Sequence, residues 1–225
     1  MDPARRSSGR RCGAFCRALL QQPDAGGIYA HFRAIAGSTT LPIILHDIPS
    51  RTIRGLSDDT LARLAELRQF IGVRDATGDI TRPMRLRSQL PPGFRLLSGD
   101  DASALAFIAN DGDGCISTVS NVAPELCLAI FSNCRQGRLQ TARYLQNRLA
   151  PLTAALTKEN PAALKYALCL LGFMSPNTRL PIVELAETAK AEVANAIAEI
   201  CDEDPASPSE SWHGRGFHGD SAATN

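Results

Sequence analysis

Lysine is nearly absent from this chain. Only Lys158, Lys165 and Lys190 occur, and arginine supplies every other basic side chain, so few amines are available for covalent chemistry. A strong charge of either sign is also missing. The formal net value is +1, so nothing points to a nucleic-acid partner. No apolar run is long enough to span a membrane. Paired metal-ligand spacing is lacking too. The seven cysteines (Cys12, Cys16, Cys115, Cys127, Cys134, Cys169 and Cys201) form no Cys-x-x-Cys or Cys/His pattern, and Cys12 and Cys16 stand four apart with no histidine near them. Their odd number fits the reduced thiols of a cytoplasmic protein, with Cys127 and Cys169 serving as apolar packing on helices. Neither metal nor cofactor is expected.

The two ends are poor in structure-forming pattern. Met1 to Arg17 carries Arg5, Arg6, Arg10, Arg11 and Arg17 with Asp2 as its single acid, a composition that transit peptides share. The apolar run from Ala14 to Leu20 is broken by Arg17 and is too short for a secretory signal. Residues 1–25 are therefore expected as a disordered leader. Residues 202–225, rich in Pro, Ser, Gly and His, are expected as a disordered tail in which His213 and His218 are solvated.

Between the ends, short apolar runs alternate with helical periods. Ile28 to Ala36 is helix-like, and Leu41 to His46 reads as a strand. Ser57 caps a helix to about Arg68 that carries Leu61, Leu64, Ala65 and Leu67 on one face. Strands at Phe70 to Arg74, Phe94 to Ser98 and Gly114 to Thr118 follow. Helices over about Ile80 to Leu90, Asp100 to Asn110 and onward from Ala123 alternate with them. Four strand-then-helix units imply an α/β fold with parallel strands and right-handed crossovers, either a doubly wound sheet or a barrel. Beyond Cys134 only helices remain. Leu139, Ala142, Leu145, Leu149, Leu152 and Leu156 form one stripe, a helix starts at Asn160-Pro161, and Leu185 to Ile200 carries a third stripe for helix-on-helix packing.

Three segments carry a resemblance: Leu45-His-Asp-Ile-Pro-Ser-Arg-Thr52, Phe70-Ile-Gly-Val-Arg-Asp-Ala-Thr-Gly78 and Leu96-Leu-Ser-Gly-Asp-Asp-Ala-Ser-Ala-Leu105. Over residues 26–200 the chain resembles the dihydrodipicolinate synthase family, Schiff-base aldolases built on a (β/α)₈ barrel. The resemblance implies the C-terminal part of a TIM barrel, about four β/α units over residues 26–135. A helical C-terminal extension over residues 136–201 follows. Counterparts of the first four strands are not found in the sequence. Half a barrel leaves open edges, and uncovering residues such as Ile44, Val73 and Leu97 would forfeit on the order of 10 kcal/mol at ~25 cal/mol per Å². Completion by self-association or by a complete paralogue is therefore expected.

In (β/α)₈ barrels the site lies at the C-terminal strand ends, where His46, Arg74, Gly99 and Ile116 fall. By resemblance, Arg74 stands where the family has its imine-forming lysine, and His46 where it has a proton-relaying tyrosine. Arg51 keeps the arginine that holds a substrate carboxylate, and Ile116 aligns with a backbone contact to pyruvate. Ile53 replaces the family's usual glycine after Arg-Thr. A guanidinium stays charged and lacks the free lone pair that an imine requires, but it clamps carboxylates well. Arg74 is thus expected either to hold pyruvate or another 2-oxo acid, or to pair with Asp47, Asp75 or Asp100. His46 is either a proton donor and acceptor near neutral pH or a packed, hydrogen-bonded ring. Three functions stay open. One is a family lyase impaired in condensing pyruvate with aspartate semialdehyde. The others are a non-catalytic 2-oxo-acid-binding protein that pairs with a paralogue, and a truncated product without selected activity.

Overall fold

A computed structural model of the chain describes residues 13–16 and 24–201. Five strands, β1 (Gly13–Cys16), β2 (Ile43–Asp47), β3 (Phe70–Asp75), β4 (Arg95–Ser98) and β5 (Gly114–Cys115), form one parallel sheet in chain order. A doubly wound sheet reverses its strand order at a switch point. This sheet does not reverse. Each right-handed crossover steps the same way, so the connecting helices gather on one face, as in part of a (β/α) barrel.

The sheet has one more strand than the four expected from sequence, and the extra one lies inside the expected leader. β1 pairs in parallel with β2, from Gly13 opposite Ile43 to Cys16 opposite His46. The apolar run that starts at Ala14 holds three of its residues, but Arg17 cuts that run short, and ladder bonds to a neighbouring strand set β1 rather than local pattern. Asp24 and Ala25, also inside the expected leader, cap and open the first helix, while residues 1–12 and 17–23 and the expected tail at 202–225 lie outside the described residues.

Helices α1 (Ala25–Gly37), α2 (Pro49–Thr52), α3 (Asp58–Ala65), α4 (Arg82–Arg87) and α5 (Ala104–Ala109) connect the strands. Two begin on side-chain caps: Asp24 accepts from the Gly27 amide before α1, and Ser57 from the Thr60 amide before α3. Phe32, Ile43, Leu45, Leu61, Leu64, Phe70, Val73, Leu86, Leu96 and Phe107 share one buried core between sheet and helices. Strand alternation sorts the faces. Leu45, Asp47, Val73, Asp75, Leu96 and Ser98 are buried on the helix side, whereas Ile44, His46, Arg74 and Leu97 on the other side are only half-buried. Val73 was expected to lose neighbours with the absent strands. It is fully buried, because it faces the helices.

The strand expected over Gly114 to Thr118 stops at Cys115. The Asp101 carboxylate accepts the amides of Thr118 at 2.8 Å and Val119 at 3.3 Å, drawing the chain into a 3₁₀ turn at Val119–Asn121. Helices α6 (Pro124–Arg135), α7 (Leu139–Lys158), α8 (Ala162–Leu170) and α9 (Glu187–Cys201) follow. Leu149, Leu152 and Leu156 of α7, Ala163 and Ala167 of α8, and Val193 and Ile197 of α9 form a second core that reaches back to Val119 and Ile130.

Short α2 ends at Ile53, whose φ is 64° and which is 70% exposed. A β-branched residue pays steric strain at positive φ, and this one recovers little of it through packing. Ile53→Gly is expected to raise stability by about 1 kcal/mol. Chemical denaturation checks it; an unchanged or lower midpoint would show that Ile53 is not strained.

Candidate functional site at the strand ends

The register of β2 against β3 places His46 opposite Arg74 and Asp47 opposite Asp75. Because alternate side chains leave a strand on opposite faces, the two pairs separate. Asp47 and Asp75 go into the helix side, where Arg82 meets them. His46 and Arg74 go to the open side. One Arg74 terminal nitrogen donates to Nε2 of His46 at 2.6 Å, and the other donates to the Gly99 carbonyl at 3.0 Å. Its Nε donates to the Ile116 carbonyl at 3.1 Å. Four of the expected site residues are therefore joined through one guanidinium. Three of its five N–H groups are used, leaving one on each terminal nitrogen.

The expected alternative, Arg74 paired with Asp47, Asp75 or Asp100, is not what the geometry gives. Arg82 takes the first two acids, and Asp100 accepts the amide and hydroxyl of Ser103 at 2.9 and 2.6 Å. Among the described residues Arg74 has no carboxylate partner, so its charge stands unneutralised at the strand ends.

Burial and that charge together set the state of His46. Since Arg74 can only donate, Nε2 of His46 accepts, which places the ring proton on Nδ1 and makes the ring neutral. Burial first, then the charges of Arg74 and Arg51, lower its pKa from 6.5 to about 4. A ring that exchanges protons near neutrality is the expectation this overturns. Arg51 itself, exposed in the last turn of α2, faces solvent while its charge reaches His46.

Gly99 is required by close approach. A Cβ built there would lie 2.9 Å from Cβ of Ala76 and 3.1 Å from both Cγ of Arg74 and the Asp75 carbonyl. Its amide also donates to that carbonyl at 2.5 Å. The absence of a side chain lets β4 hold the stem of Arg74.

Arg82, at the start of α4, escaped notice in the sequence. Its side chain is 4% exposed, and Nη1 bridges Asp47 at 2.8 Å and Asp75 at 2.9 Å. Nε reaches Asp58 at 2.8 Å and Nη2 the Leu56 carbonyl at 2.7 Å. Burial opposes the charged guanidinium, but Asp75 and Asp47 more than offset it and raise its pKa. The signal was present: two strand-end acids facing a core demand a buried cation nearby.

A cavity of about 360 Å³ lies elsewhere, among β4, β5, α5, α6 and α7, lined by Leu97, Ile108, Cys115, Cys127, Phe131 and Leu149 among others. Neither His46 nor Arg74 lines it. Burial pushes the Cys115 thiol up to about 12 and raises that of Cys127, so both stay protonated.

A one-directional parallel β/α sheet with its helices on one face defines the class of (β/α)-barrel folds, of which this chain holds a part. Within that class the chain belongs to the dihydrodipicolinate synthetase family, whose model matches residues 6–200. The match begins well before residue 26 and takes in β1. The chain is 43% identical over 177 residues to the 4-hydroxy-tetrahydrodipicolinate synthase of Afipia carboxidovorans, covering 78% of this chain and 60% of that one. It is 44% identical over 180 residues to that of Acidiphilium cryptum, covering 80% and 62%. Solved relatives include the dihydrodipicolinate synthases of Thermotoga maritima (TM-score 0.80, 32% identity, 85% of this chain and 66% of that one) and Aquifex aeolicus (0.82, 28%, 86% and 67%). The chain thus spans about 60% of the length of the curated relatives it matches.

Protonated His46 is disfavoured only in the folded state. The native fold therefore holds this stability above pH 6.5 and loses it as pH falls through about 4. For a ring this exposed the loss is expected to reach about 1 kcal/mol. Denaturation of wild type and His46→Gln between pH 7 and pH 4 checks it, and parallel profiles would refute it. Gly99→Ala is expected to cost about 1–3 kcal/mol by overpacking against Arg74. A wild-type denaturation midpoint would show that the stem has room to shift.

Proposed function

We propose that this chain holds a small 2-oxo acid such as pyruvate non-covalently and does not carry out the imine-dependent condensation of pyruvate with aspartate semialdehyde. One observation carries this reading. Arg74 sits where the family resemblance implies an imine-forming lysine, fixed by three neutral acceptors and without a carboxylate partner among the described residues. Guanidinium does not form the imine, but its two remaining N–H groups suit a carboxylate, and Arg51 adds a second positive charge. No lysine takes over. Lys158 pairs with Glu192, Lys165 donates to the Asn177 carbonyl, and Lys190 pairs with Glu184 and Glu187, all on or beside the C-terminal helices.

Among the described residues no helix is long and apolar enough to cross a membrane, and thiols that form no disulfide suit a cytoplasmic setting. The outer edges of β1 and β5 suit pairing with a second copy or with a related family chain.

Borohydride reduction with pyruvate, read by intact mass, tests the chemistry. Wild type is expected to gain no adduct, while Arg74→Lys, which restores an amine, gains one. Calorimetry is expected to give weak, salt-sensitive pyruvate binding that Arg74→Met weakens by at least about tenfold. An adduct on wild type, or turnover at an ordinary enzymatic rate, would defeat the proposal.

A further inference from the structure

We infer that Arg82 is a positioning residue for the strand-end site: from the helix side of the sheet, it sets the spacing at which His46 and Arg74 meet on the other side. The inference rests on the carboxylate-binding reading above and extends it to a residue that touches no ligand.

The geometry runs through two adjacent pairs in one register. His46 stands opposite Arg74, and Asp47, the next residue, stands opposite Asp75. One terminal nitrogen of Arg82 bonds both acids, at 2.8 and 2.9 Å, and so ties the last residue of β2 to the last residue of β3. The tie is stiff because both carboxylates are held again from other directions. Asp47 accepts the Leu56 amide with both oxygens, at 3.0 and 3.1 Å, and Asp75 accepts the Thr77 amide and hydroxyl at 2.9 and 2.7 Å. The backbone repeats the link where the Ala76 amide donates to the Asp47 carbonyl at 2.8 Å. Arg82 is anchored in turn by Asp58 and by the Leu56 carbonyl.

Without the cation, Asp47 and Asp75 face each other at 2% and 4% residue exposure as like charges or with one of them protonated, and in either state the spacing that Arg82 fixes between them is lost. That loss acts on the strand ends that carry His46 and Arg74. A lengthened His46–Arg74 contact relieves the ring of its cationic neighbour and turns the Arg74 fork away from its set direction. Among the described residues, Arg74 from β3 and Arg51 from α2 act on His46 by charge. Of these, strand spacing moves Arg74.

Two measurements on the full chain test this: the titration of His46 by NMR, assigned among four histidines with His46→Gln, and pyruvate affinity by calorimetry. Arg82→Met is expected to move the His46 midpoint upward by about one pH unit or more and to weaken pyruvate binding by about tenfold. Arg82→Lys keeps the cation but loses the fork, and is expected to fall between the two. Should Arg82→Met not fold, Asp75→Asn removes one end of the tie and is expected to shift His46 in the same direction by less. Leu156→Ala, in the second core, supplies a comparably destabilised control and is expected to move neither reading. The inference is overturned if folded Arg82→Lys and Asp75→Asn both keep wild-type titration and affinity, or if Leu156→Ala shifts them as much. If wild type binds no pyruvate, the carboxylate reading fails, while the His46 titration still decides the role of Arg82.

Discussion

The alternation of side chains at the ends of β2 and β3 is the constraint on which the site depends. Two consecutive residues on each strand carry ionisable or hydrogen-bonding groups, and the period of two sends them to opposite faces. Had Asp75 shared a face with Arg74, the two would neutralise each other and no free charge would face the strand ends. Instead each face has its own arginine. Arg82 satisfies two buried acids, and Arg74 is held by a ring nitrogen and two carbonyls. Neutral acceptors orient a guanidinium without cancelling its charge. A bidentate ligand for anions needs both properties.

The same electrostatics separate the histidine from the phenol that the family resemblance implies at its position. A phenol is a neutral donor beside a cation. An imidazole beside a cation loses its tendency to take a proton, and here its Nε2 lone pair is already committed to Arg74. His46 and Arg74 therefore act as one unit. The ring fixes one terminal nitrogen of the fork, and the fork keeps the ring neutral.

Much of this was legible in the sequence, and the reasons differ by element. Strands β2, β3 and β4 carry branched or apolar runs bounded by turn residues, and Ser57 announces α3 as a side-chain cap. His46, Arg74, Gly99 and Ile116 were identifiable because strand ends are where such a fold places its chemistry. β1 was not legible. Its apolar residues Ala14 to Cys16 are cut short by Arg17, and only the ladder to β2 defines the strand. Arg82 was hidden differently. In sequence it is one arginine among many in a helix start, and its meaning comes from two acids that are 35 and 7 residues away along the chain. The pairing expected for Arg74 failed for the same cause, since reading along the chain cannot say which of two nearby arginines shares a face with the acids.

Strand order carries the last step. A monotonic run of five parallel strands exposes one face of the sheet to whatever lies on the barrel axis, and that face bears the half-buried Ile44, His46, Arg74 and Leu97. The helix-covered face bears the fully buried Leu45, Val73 and Leu96. The chain's stability is therefore invested on the outer side of the curve, together with the Arg82 cluster. The inner side holds a cation that no described carboxylate neutralises. Such a division lets residues on the axis change without disturbing the packing that keeps the sheet together. Substitutions that end one chemistry can then leave behind a folded scaffold with charge still focused at its strand ends.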